Sequence, residues 1–167
     1  VFRAKYVVAR LLALSIAALA MFATMPARDL AAADNPFPSL AGTWSGNGTA
    51  QLEGGKTESL RCKGYYTNGN GGAALGLSIR CANASAKGEL RASLNYANGA
   101  VSGSWEERTY NQSGTVTGKA SSNRISLAIS GGIEGSLSVS LGGGGNHSVS
   151  GSTAASALKS INISMSR

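Results

Sequence analysis

The sequence is poor in the residues from which most catalytic sites are built. It contains a single histidine, His147, and only two cysteines, Cys62 and Cys81. After residue 33 the only aspartate is Asp34, and no G-x-S-x-G motif occurs. A Ser-His-Asp triad needs a histidine held by a carboxylate, and a structural zinc site needs four ligands, usually Cys or His. We therefore predict that the protein is not an enzyme and has no metal or cofactor.

Large aliphatic residues are also scarce, whereas glycine and serine are abundant. All 23 glycines lie beyond residue 41, so the chain divides into two parts of different composition. A low content of Leu, Ile, Val and Phe with abundant glycine is typical of disordered chains. The strict alternation described below argues instead for a folded domain with a small core.

Residues 1–33 have the composition of an export signal. Three basic side chains precede an apolar run, and small residues follow it: Arg3, Lys5 and Arg10, then Leu11 to Thr24, then Ala31 to Ala33. These are the parts of a secretory signal peptide, and the run is shorter than the ~20 residues of a membrane span. We predict a signal peptide at 1–33, an N-terminal arm at 34–41 and one domain at 42–167. The mature protein is expected in the bacterial periplasm or outside the cell, not spanning the membrane; an uncleaved anchor is the alternative.

The two cysteines are interpreted in the light of export. An even number of cysteines in an oxidising compartment indicates a disulfide, here Cys62 with Cys81. The bond would close a loop of about 20 residues, which the chain-entropy treatment values at roughly 3 kcal/mol. Because the core is small, the contribution of the disulfide to the stability of the fold is important.

Beyond residue 42 apolar and polar residues alternate with period two between turn signals. This pattern predicts strands with one buried and one wet face. Asn98-Gly99 is the clearest two-residue hairpin turn. The predicted strands are Thr43–Leu52, Glu58–Tyr66, Leu75–Cys81, Glu89–Tyr96, Val101–Arg108, Thr115–Ala120, Arg124–Ser130, Ile133–Leu141, His147–Ser152 and Leu158–Arg167.

The predicted fold is all-β. Short turns join successive strands, which indicates an antiparallel meander, and a meander of about 8–10 strands protects its edges most simply by closing into an up-and-down β-barrel. A two-sheet β-sandwich is the alternative. Glycines in the inward register would allow tight coiling or leave room for a cavity.

Several side chains that could bind a ligand or take part in a reaction share the inward register. Four aromatic rings and one carboxylate there either fill the barrel or line a pocket for an apolar ligand: Trp44, Tyr66, Tyr96, Trp105 and Glu107. Burial would raise the pKa of Glu107 and make it the best acid candidate, but a position at the barrel rim is the preferred explanation. Glu106 points to the opposite face, so the two glutamates do not form a catalytic pair. His147 is interpreted as a turn or strand-start residue.

The outer face carries a cluster of cations. Arg61, Lys63, Arg80 and Arg91 share it, and Lys63 is expected almost opposite Arg80. Like charges so placed repel unless an anion lies between them, which favours an anionic envelope component as partner. A solvated face balanced by Glu58 and Glu89 is the simpler alternative. Aromatic residues do not alternate with these cations, so nucleic acid is not expected.

The strand openings Gly42-Thr43-Trp44 and Gly103-Ser104-Trp105 carry a resemblance. A G-x-W at the start of the first strand resembles the calycin group of lipocalins and avidins, and implies a barrel closed at one end by that tryptophan. Ser45 and Gly46 replace the residues that follow in bacterial avidins, and with two tryptophans and no interior aspartate biotin binding is not expected. The chain is also similar to small exported bacterial proteins through Gly42–Gly46, Leu60–Cys62, Cys81 and Ser102–Glu106, a likeness that implies no activity.

The sequence as a whole predicts an exported, non-catalytic β-barrel that binds a small apolar ligand or an envelope component. A periplasmic protease-inhibitor-like module acting through its arm, and a structural envelope protein without a pocket, are the alternatives. Pro36 and Pro38 lie in that arm. The pattern does not indicate an oligomeric state.

Overall fold

The computed structural model describes residues 35–84, 86–154 and 157–167. Within these ranges a short helix precedes ten strands, and single 3-10 turns occupy two connections, Glu53–Gly55 and Asn70–Gly72. The elements are α1 (Phe37–Leu40), β1 (Gly42–Leu52), β2 (Thr57–Gly69), β3 (Ala74–Ala82), β4 (Lys87–Ala97), β5 (Ala100–Glu107), β6 (Gln112–Ser121), β7 (Arg124–Gly131), β8 (Gly135–Gly142), β9 (Asn146–Thr153) and β10 (Leu158–Ser166). The predicted signal peptide and its cleavage site lie outside the described residues.

The strands form a closed antiparallel up-and-down barrel. Each strand pairs with its neighbours in sequence, and β1 pairs with β10 to close the sheet. The prediction of a meander barrel is confirmed, and the two-sheet alternative is wrong. Asn98 and Gly99 both have positive φ, as a tight turn of mirror-image type requires. No helix in the described part of the chain is long and apolar enough to cross a membrane.

The predicted inward register is confirmed along the strands. Fully buried side chains alternate with exposed ones, and they form one continuous core that includes Leu75, Val101, Ile125, Val149 and Ile163. Because glycine has no side chain, inward glycines allow neighbouring strands to lie close together. A Cβ at Gly114 would lie 1.8 Å from the carbonyl oxygen of Ser130, so no larger residue fits this backbone.

Helix α1 closes one end of the barrel, which we call the closed end. Phe37 is completely buried and Leu40 nearly so, and the Phe37 ring meets the edge of Tyr96 at 6.0 Å. Asn35 Nδ2 donates to the carbonyl of Gly72. The predicted arm therefore packs onto the barrel as a short cap.

Most boundaries differ from the predicted ones, by one to three residues. β8 begins at Gly135, not at Ile133, because the backbone of the preceding connection bonds elsewhere: Gly132 N–H donates to Ser113, and Glu134 C=O accepts from Ala154. β2 continues three residues beyond the predicted Tyr66 and pairs with β3 as far as Gly69. All these differences lie at strand ends, where alternation carries least information.

Candidate functional site

An aromatic cluster fills the closed end. His147 is only 3% exposed, and its ring contacts the ring of Trp44 at 4.4 Å between centroids. Its Nε2 shares a hydrogen bond of 3.3 Å with the Tyr66 hydroxyl, and its Nδ1 has no partner among the described residues. The Trp44 indole N–H donates to the carbonyl of Leu40 at 2.7 Å, which ties the cluster to α1. The guanidinium carbon Cζ of Arg167 lies over the Trp44 ring, 4.6 Å from the ring centroid.

The closed-end cluster is uncharged at neutral pH, apart from Arg167. Burial, together with the positive charge of Arg167, lowers the pKa of His147 to about 4. Burial raises the pKa of Tyr66 to about 12. A neutral imidazole with one unsatisfied nitrogen and no carboxylate among its described partners lacks the orienting group of a catalytic dyad. The ring contacts and hydrogen bonds of the cluster link α1, β1, β2 and β9 at the closed end.

The structure divides the predicted ligand-binding residues into two groups. Trp44, Tyr66 and Tyr96 lie together at the closed end under α1, where all three are buried. Trp105 lies towards the opposite end, the far end, and its indole N–H donates across Gly114 to Ser130 at 3.2 Å. The placing of Trp44 at one end agrees with what the calycin resemblance implies. A ligand in the far half would contact only Trp105 of the four rings.

The far half of the barrel interior is lined by aliphatic side chains that are not fully buried. We call it the far-half lumen; its wall includes Leu60, Ile79, Leu90, Ile129 and Ile161, all partly exposed. In a closed sheet an inward side chain is separated from outside solvent by the wall itself. Its remaining exposure therefore faces the barrel interior or the opening at the far end. Eight strands already enclose an interior that side chains just fill, and ten enclose a wider one.

Glu107 stands at the rim of the far-half lumen, and its pKa is lowered. Burial would raise the pKa of this carboxyl, but hydrogen bonds from the backbone amides of Tyr110 and Glu89, together with Thr109, hold it below its usual value. The prediction of a raised pKa is wrong because the carboxylate caps the β5–β6 turn. The rim explanation fits the observed geometry.

The four predicted basic residues do share the outer face, and Lys63 lies directly opposite Arg80 as expected. Arg80 and Arg91 both pair with Glu89. The hydrogen bond from Arg91 is the largest of the interactions that lower the pKa of Glu89. Glu58, expected to balance the same face, lies in the inward register instead.

Glu58 bonds to residues at the far end of the barrel. Its partners are Lys56, at 2.5 Å, and Asn83. The charge balance predicted for the outer face is therefore only half present. Arg61 and Lys63 have no ion pair within the described residues.

The cap residues were not identified as functional from sequence. A signal was available: Pro36 precedes Phe37 and Leu40, which are three residues apart, and proline is favoured where a helix starts. The clamp by Arg167, whose guanidinium donates to the carbonyls of Ser39 and Ala41, has no local sequence signal.

Comparison with known proteins gives a fold and no family. No protein-family model matches the chain, and no curated protein is significantly similar to it. Among solved structures, the crystal structure of Rv2717c from M. tuberculosis is similar, with a TM-score of 0.60 and 14% sequence identity. The match covers 77% of this chain and 92% of that chain. At this identity the likeness establishes a shared barrel architecture.

Proposed function

We propose that the protein is an exported, non-catalytic, calycin-like barrel that binds a small apolar ligand in the far-half lumen. The observation that carries the proposal is the partial exposure of inward aliphatic side chains in a closed ten-strand sheet. Apolar surface left facing an interior space gains free energy when a ligand covers it, about 25 cal/mol for each Å². Such lined concavities are where barrels hold ligands.

The polar groups at the far rim favour a ligand without a carboxylate at its outer end. Glu58 and Glu107 stand there, and the pKa of Glu107 is held below its usual value. The Glu107 carboxylate beside the entrance repels an acidic head group, whereas Glu58 is already paired with Lys56. The ligand class supported best is a neutral or cationic apolar molecule that enters from the far end.

Export is supported by the disulfide. Cys62 and Cys81 are directly paired on β2 and β3, with Cα atoms 4.1 Å apart, and they are bonded. Disulfides persist mainly in oxidising compartments. The burial of Phe37 and Leu40 leaves these arm residues in contact with the barrel, which favours a cap over an inhibitory arm.

The test is a titration of the protein, from Asp34 onward, with a neutral environment-sensitive apolar dye. We expect saturable binding that quenches Trp105 and leaves Trp44 largely unaffected, because only Trp105 lies in the far half. The variants W44F and W105F assign the quenching to one ring. Quenching confined to Trp44 would contradict a far-half site.

A matched pair of substitutions tests the position of the site. Leu60 and Ser59 are neighbours on β2, but Leu60 points inward and Ser59 outward. L60W fills the lumen and should weaken dye binding about tenfold or more, whereas S59W should not change it. If L60W does not fold, I129W provides a second filled variant. Equal affinity in all folded variants would refute the lumen as the binding site.

A further inference from the structure

A hollow on the outer wall of the barrel has features separate from the lumen. It measures about 710 Å³ and lies mainly over β1 to β4, with contributions from β10. Most of its lining belongs to the outward register, so the hollow is open to solvent on the side away from the core. The side chains that define it chemically are Arg61, Lys63, Tyr65, Arg80 and Lys87.

The cations of the hollow are only partly neutralised. Glu89 lines it too, but its carboxylate is already shared between Arg80 and Arg91. The described residues provide no ion pair for Arg61, Lys63 or Lys87. Because Lys63 and Arg80 are directly paired across β2 and β3, their repulsion is relieved by any anion bound between them. Three cations on this concave surface therefore have no carboxylate partner among the described residues.

The spacing of these cations suits an extended anion. Arg61 and Lys63 lie two residues apart on one strand, about 7 Å. Lys87 pairs with Ala82, which pairs with Arg61, so it lies two strands away, about 10 Å. These are spacings between backbone positions, and a chain with repeated negative groups can contact all three cations at once.

Neutral groups in the hollow fit a sugar chain. Tyr65 is 44% exposed, one of only two large hydrophobic side chains exposed in the described part of the protein. An exposed tyrosine presents an apolar ring face with a polar edge. Short hydrogen-bonding side chains surround the cations on the β1 and β10 side: Ser45, Asn47, Ser164 and Ser166. One ring, cations and short polar groups are the elements that bind an acidic sugar.

We propose that this outer hollow binds an acidic polysaccharide, with Arg61, Lys63 and Lys87 contacting its anionic groups and Tyr65 stacking on a sugar ring. A membrane surface is less well matched, because the one aromatic side chain lies in a recess among cations. Nucleic acid is less well matched, because stacking of successive bases needs more than one ring. The proposal does not depend on a ligand in the lumen.

The test measures binding of fluorescently labelled alginate oligosaccharides by anisotropy, at low and high salt. Neutral dextran oligosaccharides of the same length, single-stranded DNA and phosphatidylglycerol vesicles are compared in parallel. We expect salt-sensitive alginate binding that exceeds binding to the other three. Stronger binding to the vesicles or to DNA would overturn the proposal, as would the absence of alginate binding by the folded protein.

Matched variants separate a specific site from general charge attraction. R61S/K63S removes two cations from the hollow, and K119S/R124S removes two exposed cations from β6 and β7. We expect the first to weaken alginate binding about tenfold, equivalent to about 1.4 kcal/mol, and the second less than about twofold. Equal losses in the two variants would show attraction by net charge alone and refute the site.

The tyrosine contact has its own control. Tyr65 and Tyr110 are both exposed, but only Tyr65 lines the hollow. Y65A should weaken alginate binding about fivefold, whereas Y110A should leave it unchanged. Dye binding by R61S/K63S and alginate binding by L60W should both remain as in the unaltered protein. A failure of the lumen proposal is therefore distinguishable from a failure of this one.

Discussion

Acidification is expected to destabilise the barrel through His147. The ring is buried against Trp44 and Tyr66, and the charge facing it is the guanidinium of Arg167 at the end of β10. Protonation would therefore place a second positive charge in the closed end without a carboxylate to receive it. Burial, aided by Arg167, holds the pKa of His147 at about 4 in the folded protein.

The size of the effect follows from proton linkage. An ordinary histidine has a pKa of about 6.5, so the unfolded chain binds this proton more tightly than the folded chain. The stability associated with neutral His147 is complete above about pH 6.5 and is lost as the pH falls towards about 4. At about 1.36 kcal/mol for each pH unit, acidification from about pH 7 to about 4.5 removes roughly 2 kcal/mol. For a barrel with a small core this is a large share of the total stability.

Urea unfolding followed by tryptophan fluorescence, at about pH 7 and about pH 4.5, measures the effect. H147F keeps an aromatic ring against Trp44 but cannot be protonated. We expect the unaltered protein to lose roughly 2 kcal/mol more than H147F over this range. Glu89 and Glu107 have pKa values below their usual range, so their contribution is lost only at lower pH. An equal loss in the two proteins would refute the role of His147.

A direct titration covers the case in which H147F does not fold. His147 is the only histidine of the chain, so its imidazole proton resonances need no assignment. We expect them to titrate at about pH 4 while the protein remains folded. A midpoint at about 6.5 would show that the ring is solvated and would contradict the buried arrangement.

Three further predictions concern the barrel itself. Replacing Cys62 and Cys81 together by serine should lower the free energy of unfolding by roughly 3 kcal/mol, and reducing agent should have no further effect on this variant. F37A should lower the free energy of unfolding, measured in urea, by about 3–5 kcal/mol, because the Phe37 ring of the cap is completely buried. G114A should destabilise the protein by about 2 kcal/mol or more, whereas G143A, which meets nothing within 4 Å, should be neutral within about 0.5 kcal/mol. A stable G114A would show that the strands are less closely spaced there than described.

The barrel could be predicted because its information is local and repeated. Alternation determines which side chains point inward, and short turns determine which strands pair, so these two patterns are enough to place Lys63 opposite Arg80. Closure of β1 onto β10 followed from the need to protect the edges. The inward register of Trp105 and Glu107 was predictable for the same reason.

The parts that sequence did not predict depend on contacts between distant segments. The lowered pKa of Glu107 depends on backbone amides that a turn brings to the carboxylate. Glu58 is a different case: it lies two positions before the inward Leu60, so local alternation already places it inward, and the expectation of an outer-face position was wrong. Arg167 reaches the carbonyl of Ser39 across 128 positions of sequence, which no local pattern encodes.

The two proposed sites use opposite faces of the same strands. On β2, Leu60 faces the lumen while Arg61 and Lys63 face the outer hollow, and β3 and β4 repeat this arrangement with Ile79 beside Arg80 and Leu90 beside Glu89. A single layer of sheet separates the two, so an apolar ligand and an acidic chain would be held by one wall without competing for atoms. Because the side-chain period is two, moving a substitution by one residue transfers its effect from one site to the other. The two proposed sites are therefore separable by mutation, although the same three strands carry both.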